Sequence, residues 1–119
     1  MESEQRPWGA WHVLDQGPGY KVKRIEVRPG ERLSYQTHEH RSEHWAIVQG
    51  TATCTLDGET FEVASGGSLD VGIGTQHRLA NLHDNELVVI EVQRGHYTGE
   101  DDIVRLDDDY GREGASDAS

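Results

Sequence analysis

Between Gly30 and Gly50 the chain gathers three of its seven histidines, His38, His40 and His44, into seven positions beside Gln36 and Glu43. Imidazole nitrogens together with amide and carboxylate oxygens are the donor set of a borderline transition metal. His77 lies further on, in a second glycine-marked stretch from Gly66 to Asn81. For such donors to converge inside a β-structure, those on one strand must share a face, which requires even spacing. Gln36 and His38 meet that condition at i and i+2. Glu43 opens a returning strand and can be turned opposite His38, and His77 must arrive from the second hairpin. Two imidazoles, one carboxylate and one amide oxygen leave coordination room for water or substrate, as a catalytic ion needs.

The elements that must position these residues read as short strands. Tyr20–Arg28 alternates, with Lys21, Lys23, Ile25 and Val27 on one face and Val22, Arg24, Glu26 and Arg28 on the other. Arg32–His38 and Glu43–Val48 alternate as well. The second places Glu43, Trp45 and Ile47 together and turns His44 away. Thr51–Leu56 and Thr60–Val63 flank Asp57-Gly58, a strong hairpin signal. Glu86–Gln93 is the most apolar strand. No window holds a helical period. Nine or ten short strands with close turns predict an all-β antiparallel sandwich or barrel. One domain is expected over residues 6–112, with loose termini at 1–5 and 113–119.

Composition narrows the classes. There are 22 acidic and 11 basic side chains in 119 residues, a formal charge of −11. That balance argues against nucleic acid and anionic membranes as partners, and an anionic ligand would need a locally basic pocket. The N-terminus has no apolar targeting core and the longest apolar run is Leu87–Ile90, which predicts a cytoplasmic protein with no membrane partner. Cys54 is the single cysteine, so no internal disulfide forms, and its strand position predicts a buried, inert thiol. His44, His12, His83 and His96 read as structural or surface residues, the acidic groups at 100–102 and 107–109 as solvated, and Trp8, Trp11 and Trp45 as packing anchors.

The spacing also resembles the two cupin motifs. Gly30, Gln36, His38, Glu43 and Gly50 match the first, with Gln at the usual first His. Gly66, Gly72, Gly74, His77 and Asn81 match the second, with Gly72 at the usual Pro. RPWG, YKVKRIEVRPGERLSYQTHEHRSEHW, GTQHRLAN and IEVQRGHYTGEDDIVRL are similar to the C-terminal domain of type II mannose-6-phosphate isomerases, a domain usually fused behind a mannose-1-phosphate guanylyltransferase. Asp70, Gly72 and Leu82-His83 depart from that pattern.

The resemblance implies a cupin barrel acting as a stand-alone, metal-dependent isomerase that interconverts mannose 6-phosphate and fructose 6-phosphate through an enediolate. It implies Gln36, His38, Glu43 and His77 around one divalent ion, zinc first, with cobalt, manganese or nickel as alternatives. His40, Arg41 and Lys23 become catalytic candidates, and Arg78, Arg24 and Asn81 substrate-binding ones. The implied partner is a sugar phosphate. Relatives that pair barrel faces or exchange N-terminal strands imply a homodimer, with Trp8–Val13 as a contact segment. Two alternatives belong to other classes: a metal-dependent oxygenase, against which Gln36 counts, and a catalytically silent sugar-binding or partner subunit.

Overall fold

The computed structural model describes residues 2–115, and these described residues form twelve strands and no helix. They are β1 (Ser3–Arg6), β2 (Gly9–Gly17), β3 (Tyr20–Val27), β4 (Tyr35–Thr37), β5 (Ser42–Gln49) and β6 (Thr51–Leu56), then β7 (Glu59–Ala64), β8 (Ser68–Val71), β9 (His77–Ala80), β10 (Leu87–Arg94), β11 (Val104–Asp107) and β12 (Gly114–Ala115). All pairings are antiparallel. One six-stranded sheet runs β1-β2-β3-β10-β5-β8 and the other β12-β11-β4-β9-β6-β7. Their inner faces pack together as the antiparallel barrel that the strand pattern predicts and the motif resemblance implies.

Local chemistry accounts for the joints. Asp57 and Gly58 adopt φ of 47° and 84°, and Leu56 pairs with Glu59 across them, a two-residue turn whose twist suits a hairpin. Gly50, at φ 81°, turns β5 into β6, where an added Cβ would lie 2.9 Å from the Glu86 carbonyl oxygen. The Gly74 N–H donates to the His38 carbonyl at 2.9 Å, which pins the approach to β9 against the end of β4.

The strand faces divide the interior into two ends. Across β3, β10 and β5, the registers Ile25–Val89–Ile47 and Val27–Leu87 stack apolar side chains. With Trp8, Trp11, Val13, Leu79 and Cys54 these form the buried core. Two steps along the same strands the inward residues become polar, in the rows Lys23–Glu91–Trp45 and Lys21–Gln93–Glu43. All six of these side chains are buried. The barrel therefore has a dry end and a charged end.

Several expectations change here. The first residues are not loose, since Ser3–Arg6 pairs with His12–Gly9 as an edge strand. At the other terminus Gly114–Ala115 pairs with β11, and residues 116–119 lie outside the described residues. Trp8, Trp11 and Val13 are packed into the core of this chain. The acidic groups at 100–109 are largely used internally. Glu100 takes Lys21 and Lys23, Asp107 takes Arg78, Asp108 takes Arg112, and Asp109 takes Arg32. Cys54 is buried as expected, and burial pushes its thiol up to about 11. None of the described elements is a helix long and apolar enough to cross a membrane.

Candidate metal centre

At the charged end, His38 follows β4, Glu43 lies near the start of β5 and His77 opens β9. One donor atom from each lies within 4.8 Å of the others. His38 Nε2 is 3.1 Å from Glu43 Oε2, and His77 Nε2 is 3.7 Å from Glu43 Oε1. Each imidazole is anchored through its other nitrogen to a backbone carbonyl. His38 Nδ1 meets the Asp102 oxygen at 2.6 Å, and His77 Nδ1 meets the Thr75 oxygen at 2.8 Å. A carbonyl only accepts, so both Nδ1 atoms donate and both Nε2 lone pairs face Glu43.

Protonation suits ligation. Burial, with lesser repulsion from Arg41 and His77, holds the His38 imidazole down to about 4 against the pull of Glu43. Burial alone would raise Glu43, but His38, Arg41 and His77 together hold it well below the usual carboxylate range. Neutral imidazole and ionised carboxylate are the forms a divalent ion requires. Two imidazoles and one carboxylate also form the open three-ligand set that zinc uses in catalytic sites. These donors fit a divalent ion.

Gln36 is buried, lines the same cavity and pairs directly with His77 across β4 and β9. Its Nε2 donates to the Ser34 carbonyl at 3.2 Å and to Ser34 Oγ at 3.1 Å, which fixes the orientation of the amide. Arg41 is also inside. Its Nε donates to Glu43 Oε2 at 2.9 Å, while Nη2 lies 2.9 Å from the same oxygen and 3.3 Å from His38 Nε2. The guanidinium thus already lies as a cation against two of the three donors. Lys23 is buried, donates to Glu100 at 2.6 Å and lies 4.0 Å from the centre of the Trp11 ring.

Four sequence-derived candidates lie elsewhere. His40 does not continue the Gln36–His38 face, because the N–H groups of Glu39 and His40 both donate to the Asp102 carboxylate and turn the backbone. Its ring instead packs against His96 and Tyr97 in a separate outer groove. Arg24 sits on the outward face of β3 and pairs with Glu26. Arg78 alternates away from His77 and ties the Leu33 carbonyl to Asp107. Asn81 is fully buried, but it donates to the Val27 and Asn85 carbonyls and accepts from the His83 N–H, clamping a loop. His44 pairs outside with Asp70 at 2.7 Å, directly across β5 and β8, which gives Asp70 its partner.

Sequence reasoning missed Glu91 and Gln93. The apolar character of β10 hid them, although the 87, 89, 91, 93 alternation and the inward lysines of β3 carried the signal. Trp45 Nε1 donates to Glu43 at 3.0 Å and to Glu91 at 3.1 Å, and Gln93 Nε2 donates to Glu91 at 2.7 Å. Burial and then the charge of Glu43 push the Glu91 carboxyl up to about 8, so it holds a proton at neutral pH.

The family model described as mannose-6-phosphate isomerase C-terminal matches residues 2–108. The alginate biosynthesis protein AlgA of Pseudomonas aeruginosa is 51% identical over 107 residues, covering 90% of this chain and 22% of AlgA. The mannose-1-phosphate guanylyltransferase ManC of Salmonella typhimurium is 48% identical over 107 residues, again 90% of this chain and 22% of the relative. The cupin domain of Schizosaccharomyces pombe Cnp3 superposes with a TM-score of 0.70 at 17% identity, covering 72% of this chain and 64% of that one, a likeness of fold alone.

The chain thus spans about a fifth of the length of these curated relatives. The expectation of a stand-alone mannose-6-phosphate isomerase does not hold. Relatives half identical over nine-tenths of the chain include mannose-1-phosphate guanylyltransferases, in which the matched stretch is a minor part. With its two-sheet barrel and both motifs in register, the chain belongs to the mannose-6-phosphate isomerase C-terminal family of cupin domains.

Proposed function

We propose that this chain is a divalent-metal-holding, sugar-phosphate-binding module serving a mannose-1-phosphate guanylyltransferase. The observation that carries the reading is a reversal of charge. Acidic side chains outnumber basic ones 22 to 11 in the whole chain. The cavity around His38, Glu43 and His77 is instead lined by four cationic side chains, Lys23, Arg41, Arg105 and Arg112, against two acidic ones, Glu43 and Glu91. This lining gathers fixed cations in an otherwise acidic molecule, with Glu100 and Asp108 behind Lys23 and Arg112. His38, Glu43 and His77 would hold the ion, with Gln36 beside them. A bound divalent ion would polarise sugar oxygens placed against it. Protonated Glu91 supports Glu43 from behind, and Lys23 supplies positive charge along the same wall.

The test is calorimetric. Zinc, cobalt and manganese are titrated into the chelated full chain, and mannose 6-phosphate and mannose 1-phosphate are then titrated with and without metal. One ion per chain is expected, with sugar-phosphate binding about tenfold or more tighter in the loaded protein. A wild-type chain that takes up no ion, or binds sugar phosphates equally well without one, refutes the reading.

A further inference from the structure

We propose that the indole N–H of Trp11 is a ligand-binding group of the metal cavity, donating to a hydroxyl oxygen of the sugar whose other oxygens face His38, Glu43 and His77. It rests on the sugar-phosphate reading above and adds the donor that holds the sugar from the β2 side. Trp11 lies on β2 opposite Ile25 of β3, where the apolar row Trp11–Ile25–Val89–Ile47 borders the row Val13–Lys23–Glu91–Trp45. Its side chain is 2% exposed and lines the same cavity as the metal donors.

An unused donor points to the ligand. Among the described residues, four buried side-chain atoms have no hydrogen-bond partner: Arg6 Nε, Trp11 Nε1, Arg41 Nη1 and Gln93 Oε1. Only Trp11 and Arg41 belong to side chains that line the cavity. An indole N–H can only donate, and leaving it unpaired in the interior forfeits the hydrogen bond it had in water. The surrounding wall offers it no acceptor, so the oxygen that satisfies it comes from the occupant of the cavity. The Trp45 indole, by contrast, already donates to Glu43 and Glu91.

The Trp11 ring is also held in place. Lys23 Nζ lies 4.0 Å from its centre and is itself fixed by Glu100 at 2.6 Å, so one face of the ring is taken and its orientation is set. Trp8, Ile25, Leu79 and Ile103 continue an apolar lining around it. Apolar surface with one fixed donor suits a sugar ring, whose C–H face is apolar and whose edge carries acceptor oxygens.

The test removes the N–H and keeps an aromatic ring. The zinc-loaded full chain, as wild type and as Trp11→Phe, is titrated calorimetrically with mannose 6-phosphate and with its monodeoxy analogues, and zinc stoichiometry and thermal unfolding are checked in each. Trp11→Phe should keep its zinc and weaken mannose 6-phosphate about tenfold. Wild type should lose a similar factor for one deoxy analogue, and Trp11→Phe should bind that analogue and mannose 6-phosphate alike, because the missing hydroxyl is the one the indole holds. Mannose 6-phosphate should also move the Nε1–H resonance of Trp11 in wild-type spectra, a readout that stands even if Trp11→Phe fails to fold. Wild-type affinity in a folded Trp11→Phe protein, a loss there that is the same for every deoxy analogue, or an unmoved resonance in wild type that binds the ligand overturns the assignment and leaves the sugar-phosphate reading intact. Zinc-loaded wild type that binds no mannose 6-phosphate overturns both.

Discussion

Replacing Arg41 by Met should make the protein hold zinc more tightly while making the metal-free protein less stable. The guanidinium sits 2.9 Å from Glu43 Oε2 and 3.3 Å from His38 Nε2, on the atoms an ion must use. An incoming ion must break or displace these contacts and also meets a fixed positive charge beside it. Hydrogen bonds to charged groups contribute about 1.5–3 kcal/mol, so removing the competitor should tighten zinc binding roughly 10- to 100-fold. The same change strands the buried Glu43 carboxylate, which typically costs about 3–5 kcal/mol. Competition with a chelator of known affinity reads the first effect, and thermal unfolding with and without zinc reads the second. The variant should gain more from added zinc than wild type does. Equal or weaker zinc binding in a folded Arg41→Met protein would refute the idea that Arg41 competes for the donors.

Other outcomes follow from the same network. His38 is held neutral down to about 4 while its unfolded counterpart takes a proton near 6.5, so metal-free stability should fall as pH drops through that window. Glu91 keeps its proton up to about 8 while the unfolded carboxyl loses it near 4.5, so stability should also fall as pH rises between those values, by up to tenfold in the unfolding constant per pH unit. Above pH 6.5 that alkaline decline is carried by Glu91 without opposition from His38. Unfolding curves of Glu91→Gln that keep the full decline would contradict it. Asp102→Ala removes the acceptor for the N–H groups of Glu39 and His40 and should lower zinc affinity about tenfold by loosening His38, measured by chelator competition. Gly50→Ala should destabilise the fold by about 1–3 kcal/mol in chemical denaturation, given its φ of 81° and the close Glu86 carbonyl.

Alternation made much of this molecule legible in advance. Lys23 could be placed inside because Ile25 and Val27 share its face, and Glu43 because Trp45 and Ile47 share its own. The Asp57-Gly58 hairpin and the convergence of His38, Glu43 and His77 follow from rules of period and turn. What escaped was set by contacts distant in sequence. His40 obeys the period of β4 on paper, yet Asp102, 62 residues away, bends the backbone just before it. Arg78 and Asn81 have suitable chemistry, but Asp107 and the Val27 carbonyl claim them. The acidic stretch after β10 looks like a solvated run until the arginines and lysines it meets are in place.

That acidic stretch has a consequence for the order in which the barrel assembles. Its bonds from Glu100 to Lys21 and Lys23, and from Asp109 to Arg32, join residues 77 to 79 positions apart. Contacts of that separation reward the chain only after long loops have closed, so they form late. The wall of the cavity that carries Arg105 depends on these far-separated contacts and on the pairing of β11 with β4. It is held by attachments of unequal sensitivity to ionic strength. Arg32 and Asp109 are each 40% exposed and are screened by added salt, while Lys21 and Lys23 hold Glu100 almost out of water's reach. Salt should loosen this wall progressively from its outer margin, with the lysine–glutamate clasp the last point to let go.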